Sequence, residues 1–248
     1  MTQCADPVRG FHRFSRGVLN IFLTPWICLR VRGEENLPQS GGYVLACSHT
    51  SPLDGILAFW YMARRGVPLR IMAKAELFRL PVVGAIFRAL HLVPVDRKAQ
   101  NRSDALAPVC RAIDEGQCVA IYPEGTFTED PDVWPMRLKT GVARVALDTR
   151  APVIPLASWG AHMIMSSGRI VDIRPARTVD FLIGEAVDLS DLYSELGSAD
   201  RKAVEEANRR IYRALCEGLA QLRGENPPEN MWWDPREGRR IPLISSDQ

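Results

Sequence analysis

The chain has 248 residues, a formal net charge of +2, and ordinary shares of apolar (46%) and charged (24%) residues. That length suits one large domain, or two small ones, and allows a substantial buried core. The near-neutral balance excludes a general polyanion binder, so no nucleic-acid partner is expected.

Residues 1–36 read as an N-terminal amphipathic arm. Phe11, Phe14, Val18, Ile21, Phe22 and Pro25 recur at roughly helical spacing, with His12, Arg13, Ser15, Arg16 and Asn20 between them. A helix with one apolar and one basic face can lie in a bilayer interface beside anionic lipids. Trp26, Arg30 and Arg32 fit as interfacial anchors. The uncharged stretch 17–29 falls short of the roughly 20 residues needed to span a bilayer. Pro25 interrupts it, and no small-residue cleavage site follows. A peripheral or monotopic placement is therefore expected.

From residue 43 short apolar runs alternate with helical patterns. The runs are Tyr43–His49, Leu69–Ala73, His91–Val95, Cys118–Tyr122, Val153–Ala157 and Val179–Ile183. The helical patterns cover Pro52–Arg65, Val83–Leu90, Ser103–Glu115, Leu138–Thr149 and Ala199–Arg223. Such alternation predicts an α/β domain over residues 37–225, a sheet covered by helices. Val204, Ala207, Ile211, Leu215, Leu219 and Leu222 form one stripe on the last helix. Residues 226–248 carry Pro227-Pro228, Trp232-Trp233, Arg236, Arg239 and Arg240, and read as a packed C-terminal extension with a second interfacial patch.

Polar groups follow four of the apolar runs: His49, Lys74, Asp96-Arg97 and Glu124-Gly125-Thr126. Sites in α/β sheets form at strand ends, where loops converge. In Ser48-His49-Thr50-Ser51-Pro52-Leu53-Asp54, Ser51 can cap the following helix and Pro52 suits its first position. Asp54 then has two readings. It can close a capping box onto the Ser51 backbone. It can also turn back to the His49 imidazole, fix one ring nitrogen as donor, and leave the other to take a proton from a hydroxyl. Cys47 shares a strand face with His49, but same-face neighbours lie roughly 6.5 Å apart, so a packed thiol is the better reading than a nucleophile.

In Tyr122-Pro123-Glu124-Gly125-Thr126, Gly125 permits a positive φ or a close approach of backbone. Glu124 can accept hydrogen bonds from substrate hydroxyls or orient a lysine. Lys74, Arg97, Arg137 and Lys139 are candidate phosphate ligands, arginine as a fork and lysine as a point charge. The six cysteines contain no C-x-x-C pair and no metal-ligand spacing with histidine. They read as reduced thiols, and no metal is expected.

With His49-Thr-Ser-Pro-Leu-Asp54 and Pro123-Glu-Gly-Thr126 both present, the chain resembles the glycerolipid acyltransferases typified by 1-acylglycerol-3-phosphate acyltransferase. The H-x-x-x-x-D block falls on His49 to Asp54, and P-E-G-T on Pro123 to Thr126. A middle block runs from Lys74 to Arg97, and an apolar block falls on Val153-Ile-Pro-Leu156. The resemblance spans roughly residues 31–190. It implies a mixed, largely parallel central sheet flanked by helices. It also implies a His49–Asp54 pair working without a covalent acyl-enzyme or cofactor, and phosphate recognition by the second and third blocks.

The implied reaction moves an acyl group from acyl-CoA or acyl carrier protein to a lysophosphatidic acid in the membrane, giving phosphatidic acid at the cytoplasmic face. Two positions depart from the pattern: Phe127 stands where an arginine is common, and Ser48 where an asparagine is common. Arg137 or Lys139 would then hold the phosphate, or the acceptor is another lysophospholipid or glycolipid. A non-catalytic acyl-CoA or lipid binder and a thioester hydrolase are the remaining readings of this scaffold.

Overall fold

The structure, a computed structural model, describes residues 16–81, 84, 88, 92–95, 102–166, 169–172 and 174–243. Eleven strands occur among these residues. Seven of them, β1 (Ile27–Arg32), β2 (Tyr43–Cys47), β3 (Leu69–Lys74), β4 (Val93–Val95), β5 (Cys118–Ile121), β6 (Val153–Trp159) and β9 (Arg177–Ile183), form one sheet in the order β1-β9-β6-β2-β5-β3-β4. Five neighbouring pairs are parallel, and β6–β9 alone is antiparallel. The sheet is thus mixed and largely parallel.

Its central strands are apolar throughout because both faces are covered. Along β2, Val44 and Ala46 face one core while Tyr43, Leu45 and Cys47 face the other. This is the two-residue period of a strand. Helices α2 (Arg102–Asp114), α3 (Gly141–Thr149) and α5 (Arg201–Arg223) cover the first face. Helix α1 (Leu53–Arg64) and the short α4 (Ala161–Ile164) cover the second, with Leu19 and Leu23 of the helical segment 16–23 packed on the same core. The stripe read along α5 is the buried one: Val204, Ala207, Ile211, Leu215 and Leu219 all lie inside. Asp200 caps this helix through the N–H groups of Lys202 and Ala203.

The elements expected from the apolar runs are present, with shifts of a few residues at their ends. The helix expected over 83–90 falls mostly outside the described residues. The pattern over Leu138–Thr149 becomes helical only from Gly141, because Lys139 N–H instead bonds Pro123 O.

The expected arm is shorter than 1–36 in one respect: residues 27–32 form the edge strand β1. Arg30 there makes a bidentate pair with Asp180, its register partner on β9, at 2.7 Å for both bonds. Arg32 lies about 17 Å further along the strand than Ile27 and lines a cleft of about 600 Å³ at the opposite end of the sheet. Neither arginine sits beside Trp26 as an interfacial anchor, because strand geometry carries them away. Among the described residues no helix is long and apolar enough to cross a membrane.

Candidate active site

Because β2, β3, β5 and β6 run parallel, their C-terminal ends gather at one end of the sheet. His49 follows β2 there. Pro52 already has helical dihedrals, φ −56° and ψ −23°, and α1 begins at the next residue. The turn between strand and helix is tight enough to bring Asp54 Oδ2 to 3.3 Å from His49 Nδ1. The same oxygen accepts the N–H groups of Thr50 and Ser51, each at 2.7 Å.

Both readings of Asp54 therefore hold at once: it ties down the start of the helix and it faces the imidazole. Its other oxygen, Oδ1, accepts a 2.9 Å bond from the Ser158 hydroxyl at the end of β6. Asp54 is almost wholly buried, and these donors replace the water a buried carboxylate would otherwise need. Ser158 N–H in turn bonds Ser48 Oγ at 2.9 Å, which stitches β6 to the residue before the histidine.

Glu124 reaches His49 from the other side. Its Oε1 accepts His49 N–H and its Oε2 accepts Met136 N–H, both at 3.0 Å, and the residue is 2% exposed. Burial pushes its pKa up to about 8, against the opposing pull of those two main-chain donors. Both oxygens thus meet main-chain N–H groups, one of them that of His49.

Gly125 has φ +75°, and a Cβ at that position would come within 2.6 Å of Lys139 Nζ. The glycine thus serves the left-handed turn expected of it, and the group nearest it is the end of a lysine side chain, not backbone. Lys139 lies over this turn and is exposed, as is Thr126. Arg137 lies elsewhere. It bonds Asp234 at 2.9 Å and stacks over the Trp232 ring, so its guanidinium is committed to the C-terminal segment. The Lys74 side chain and Arg97 lie outside the described residues.

Two aromatic rings pack against the imidazole. Tyr122 lies 4.2 Å away, centroid to centroid, and Phe127 meets it edge-on at 4.5 Å. Phe127, which departs from the arginine of the family pattern, is an apolar wall for the histidine. Cys47 is fully buried, its thiol is pushed well above the ordinary range by desolvation, and its sulfur lies near Leu45 O. It is packed, as expected, and is no nucleophile. Sequence reasoning missed Ser158. The one available signal was a small hydroxyl just past the apolar run Val153–Ala157, in a stretch that continues as strand to Trp159.

A mixed, largely parallel sheet, a histidine–carboxylate pair at a strand tip and a P-E-G-T turn against it define an acyltransferase. The profile of the Acyltransferase family matches residues 28–159, and the chain belongs to that family. The chain is 31% identical over 219 residues to a 1-acyl-sn-glycerol-3-phosphate acyltransferase of Bacillus subtilis (strain 168), covering 85% of this chain and all of that one. It is 28% identical over 160 residues to the protein of the same name from Borreliella burgdorferi, covering 61% and 62% of the two chains. Its fold matches the crystal structure of the 1-acyl-sn-glycerophosphate (LPA) acyltransferase PlsC from Thermotoga maritima. That match has a TM-score of 0.64 and 24% identity, over 89% of this chain and 80% of the other.

Proposed function

We propose that the protein acylates the free hydroxyl of 1-acylglycerol-3-phosphate, using acyl-CoA or acyl carrier protein as donor and giving phosphatidic acid. The names of the relatives support this acceptor. The observation that carries the chemistry is Asp54 Oδ2 at 3.3 Å from His49 Nδ1. With Nδ1 oriented as a donor, Nε2 takes the hydroxyl proton as the oxygen attacks the thioester carbon. The carbon–sulfur bond then breaks, the thiolate takes the proton back from the imidazolium, and ester and thiol leave. The buried Cys47 offers no competing nucleophile.

The oxyanion needs an N–H donor. At the start of α1 the candidates are used internally: Thr50 and Ser51 bond Asp54, Leu53 bonds Ser51 Oγ, and Asp54 N–H bonds Ser51 O. Gly125 N–H bonds Tyr122 O. The exposed Thr126 is the next amide along the turn and serves as the oxyanion donor in this reading. Lys139, beside that turn, is the acceptor's phosphate anchor, and the family pattern adds Lys74 and Arg97. An acceptor without phosphate is the second reading, favoured by Phe127 against His49 and by the commitment of Arg137 to Asp234.

The membrane is the proposed source of the acceptor, with the enzyme peripheral or monotopic at the cytoplasmic face. Ile21, Phe22, Trp26, Ile56, Met163, Ile170 and Val171 are exposed. Trp26 is tied to the start of β9 through Arg177 N–H, and the hairpin β7–β8 (Met165–Ser166, Arg169–Ile170) is tied to the catalytic turn through Ser51 Oγ and Met165 O. Both anchor points lie at the His49 end of the sheet. Exposed Arg169 and Arg174 accompany them. An apolar rim with basic neighbours suits an anionic bilayer surface.

An acceptor screen with purified protein and a long-chain acyl-CoA, reading released thiol, tests the proposal. Release is expected with lysophosphatidic acid and absent without acceptor. In folded His49→Ala it is expected to fall by at least about a thousandfold. Equal release with a neutral glycolipid moves the assignment to the second reading, acceptor-independent fatty acid identifies a hydrolase, and near-normal turnover by His49→Ala defeats the mechanism.

A further inference from the structure

The loop 128–138 holds the main chain of His49 on both sides. Thr128 N–H bonds His49 O at 2.8 Å, while Met136 N–H shares Glu124 with His49 N–H. The loop lacks regular structure of its own, apart from one bridge. That bridge, Met136 to Trp233, belongs to the C-terminal hairpin formed by β10 (Met231–Asp234) and β11 (Arg239–Pro242).

The hairpin grips the loop at both ends. At the later end, Arg137 N–H bonds Trp233 O at 2.8 Å and the Arg137 guanidinium bonds Asp234. At the earlier end, Arg240 forks onto Asp130, with Nε to Oδ2 at 3.0 Å and Nη2 to Oδ1 at 2.7 Å. The Asp130 side chain is 1% exposed, and Arg240 also reaches Asp132 at 2.8 Å. Asp130 N–H bonds Thr128 Oγ1, which itself donates to Trp134 O. A continuous path of bonds therefore runs from Arg240 through Asp130 and Thr128 to the carbonyl of the histidine. The hairpin is fixed to the body in its turn, since Tyr212 OH on α5 bonds Met231 O at 2.7 Å.

We propose that the C-terminal hairpin is a clamp that sets the position of the His49 imidazole, with Asp130 and Arg240 as its positioning residues. Neither touches substrate. Both act through the loop, which a part-buried bidentate pair holds in one arrangement while a single-point contact would let it pivot. Reaction at a hydroxyl is sensitive to displacements of order 1 Å, so the clamp governs turnover more than substrate affinity. This inference rests on the acyl-transfer reading for its kinetic consequence, though not for its geometric one.

The test uses the full chain with Arg240→Met and Arg240→Lys, assayed at least about 20 °C below each variant's melting temperature so that partial unfolding contributes nothing. Arg240→Met is expected to lower kcat by about tenfold with both KM values within about twofold. Arg240→Lys, which keeps the charge and loses the fork, is expected to recover part of that loss. A lower melting temperature with unchanged kcat makes the pair merely structural and overturns the proposal, as does no change in either.

The second readout needs no turnover: the His49 ring resonance, assigned by His49→Gln, should shift or broaden in Arg240→Met. If wild type shows no transfer with any acceptor, the failure belongs to the proposed function, and this resonance alone decides the clamp. An unmoved His49 signal overturns it.

Discussion

Two buried carboxylates meet at one histidine, and they do different work there. Asp54 addresses the ring; Glu124 addresses the peptide N–H. Asp54 sits at the first turn of a helix, with two main-chain donors and a serine hydroxyl besides the imidazole. Glu124 has two main-chain donors and, among the described residues, no side-chain one, and burial lifts its pKa to about 8. The contrast teaches that a carboxylate close to catalysis is not thereby a chemical participant. The number and kind of its donors decide whether it serves the reaction or the frame that holds the reacting group.

Substitution at the two carboxylates can break this distinction. Asp54→Asn should have the larger effect, because an amide cannot stabilise the imidazolium or hold the same tautomer. A kcat loss of about a thousandfold is expected, with the fold retained by circular dichroism. Turnover within tenfold of wild type, accompanied only by a lower melting temperature, would reduce Asp54 to a helix cap.

Glu124→Gln should cost less turnover, about tenfold, since its amide turns a donor toward one of two main-chain N–H groups. Its more telling signature is in stability. The pKa of Glu124 is raised from 4.5 to about 8, so between those values the native protein keeps a proton that the unfolded chain has released. Stability from this group therefore falls as pH rises through that window. Melting temperatures recorded from pH 5 to 8 should decline less steeply in Glu124→Gln than in wild type. Parallel curves would remove the buried carboxyl from the account.

The smallest kinetic effect is expected where neither carboxylate is touched. Ile170→Asp on the exposed hairpin should leave thiol release from dispersed short-chain substrates within about twofold, as surface changes usually do. It should also weaken flotation with anionic vesicles. Unchanged flotation would separate the apolar rim from membrane binding.

The reach of the sequence differs between these same regions. The pairing of Asp54 with His49 and with the Thr50 and Ser51 N–H groups was legible because those partners lie within five residues, where turn geometry alone limits the options. The alternation of apolar runs, the stripe on α5 and the packed Cys47 were legible for a similar reason, since periodicity of two and near four reports local geometry directly. Glu124 was visible as a motif residue but not in its role, because its partners stand 75 and 12 residues away in the chain. Arg137 was visible as a charge, but not as the partner of Asp234, 97 residues later. Arg30 and Arg32 looked like anchors because a strand inside the supposed arm leaves little trace in six residues.

The order of residues alone thus carried the class of fold, the pairing of His49 with its neighbouring acid, and the glycine turn. Each of these depends on contacts the backbone makes with itself over a few residues. Tertiary structure decided which charges are spent on holding the loop. It also brought Ser158 to Asp54 and the far C-terminal hairpin to the histidine's own peptide bond. Such pairings depend on which strands become neighbours, a choice made by burial of the whole core and not by any local pattern.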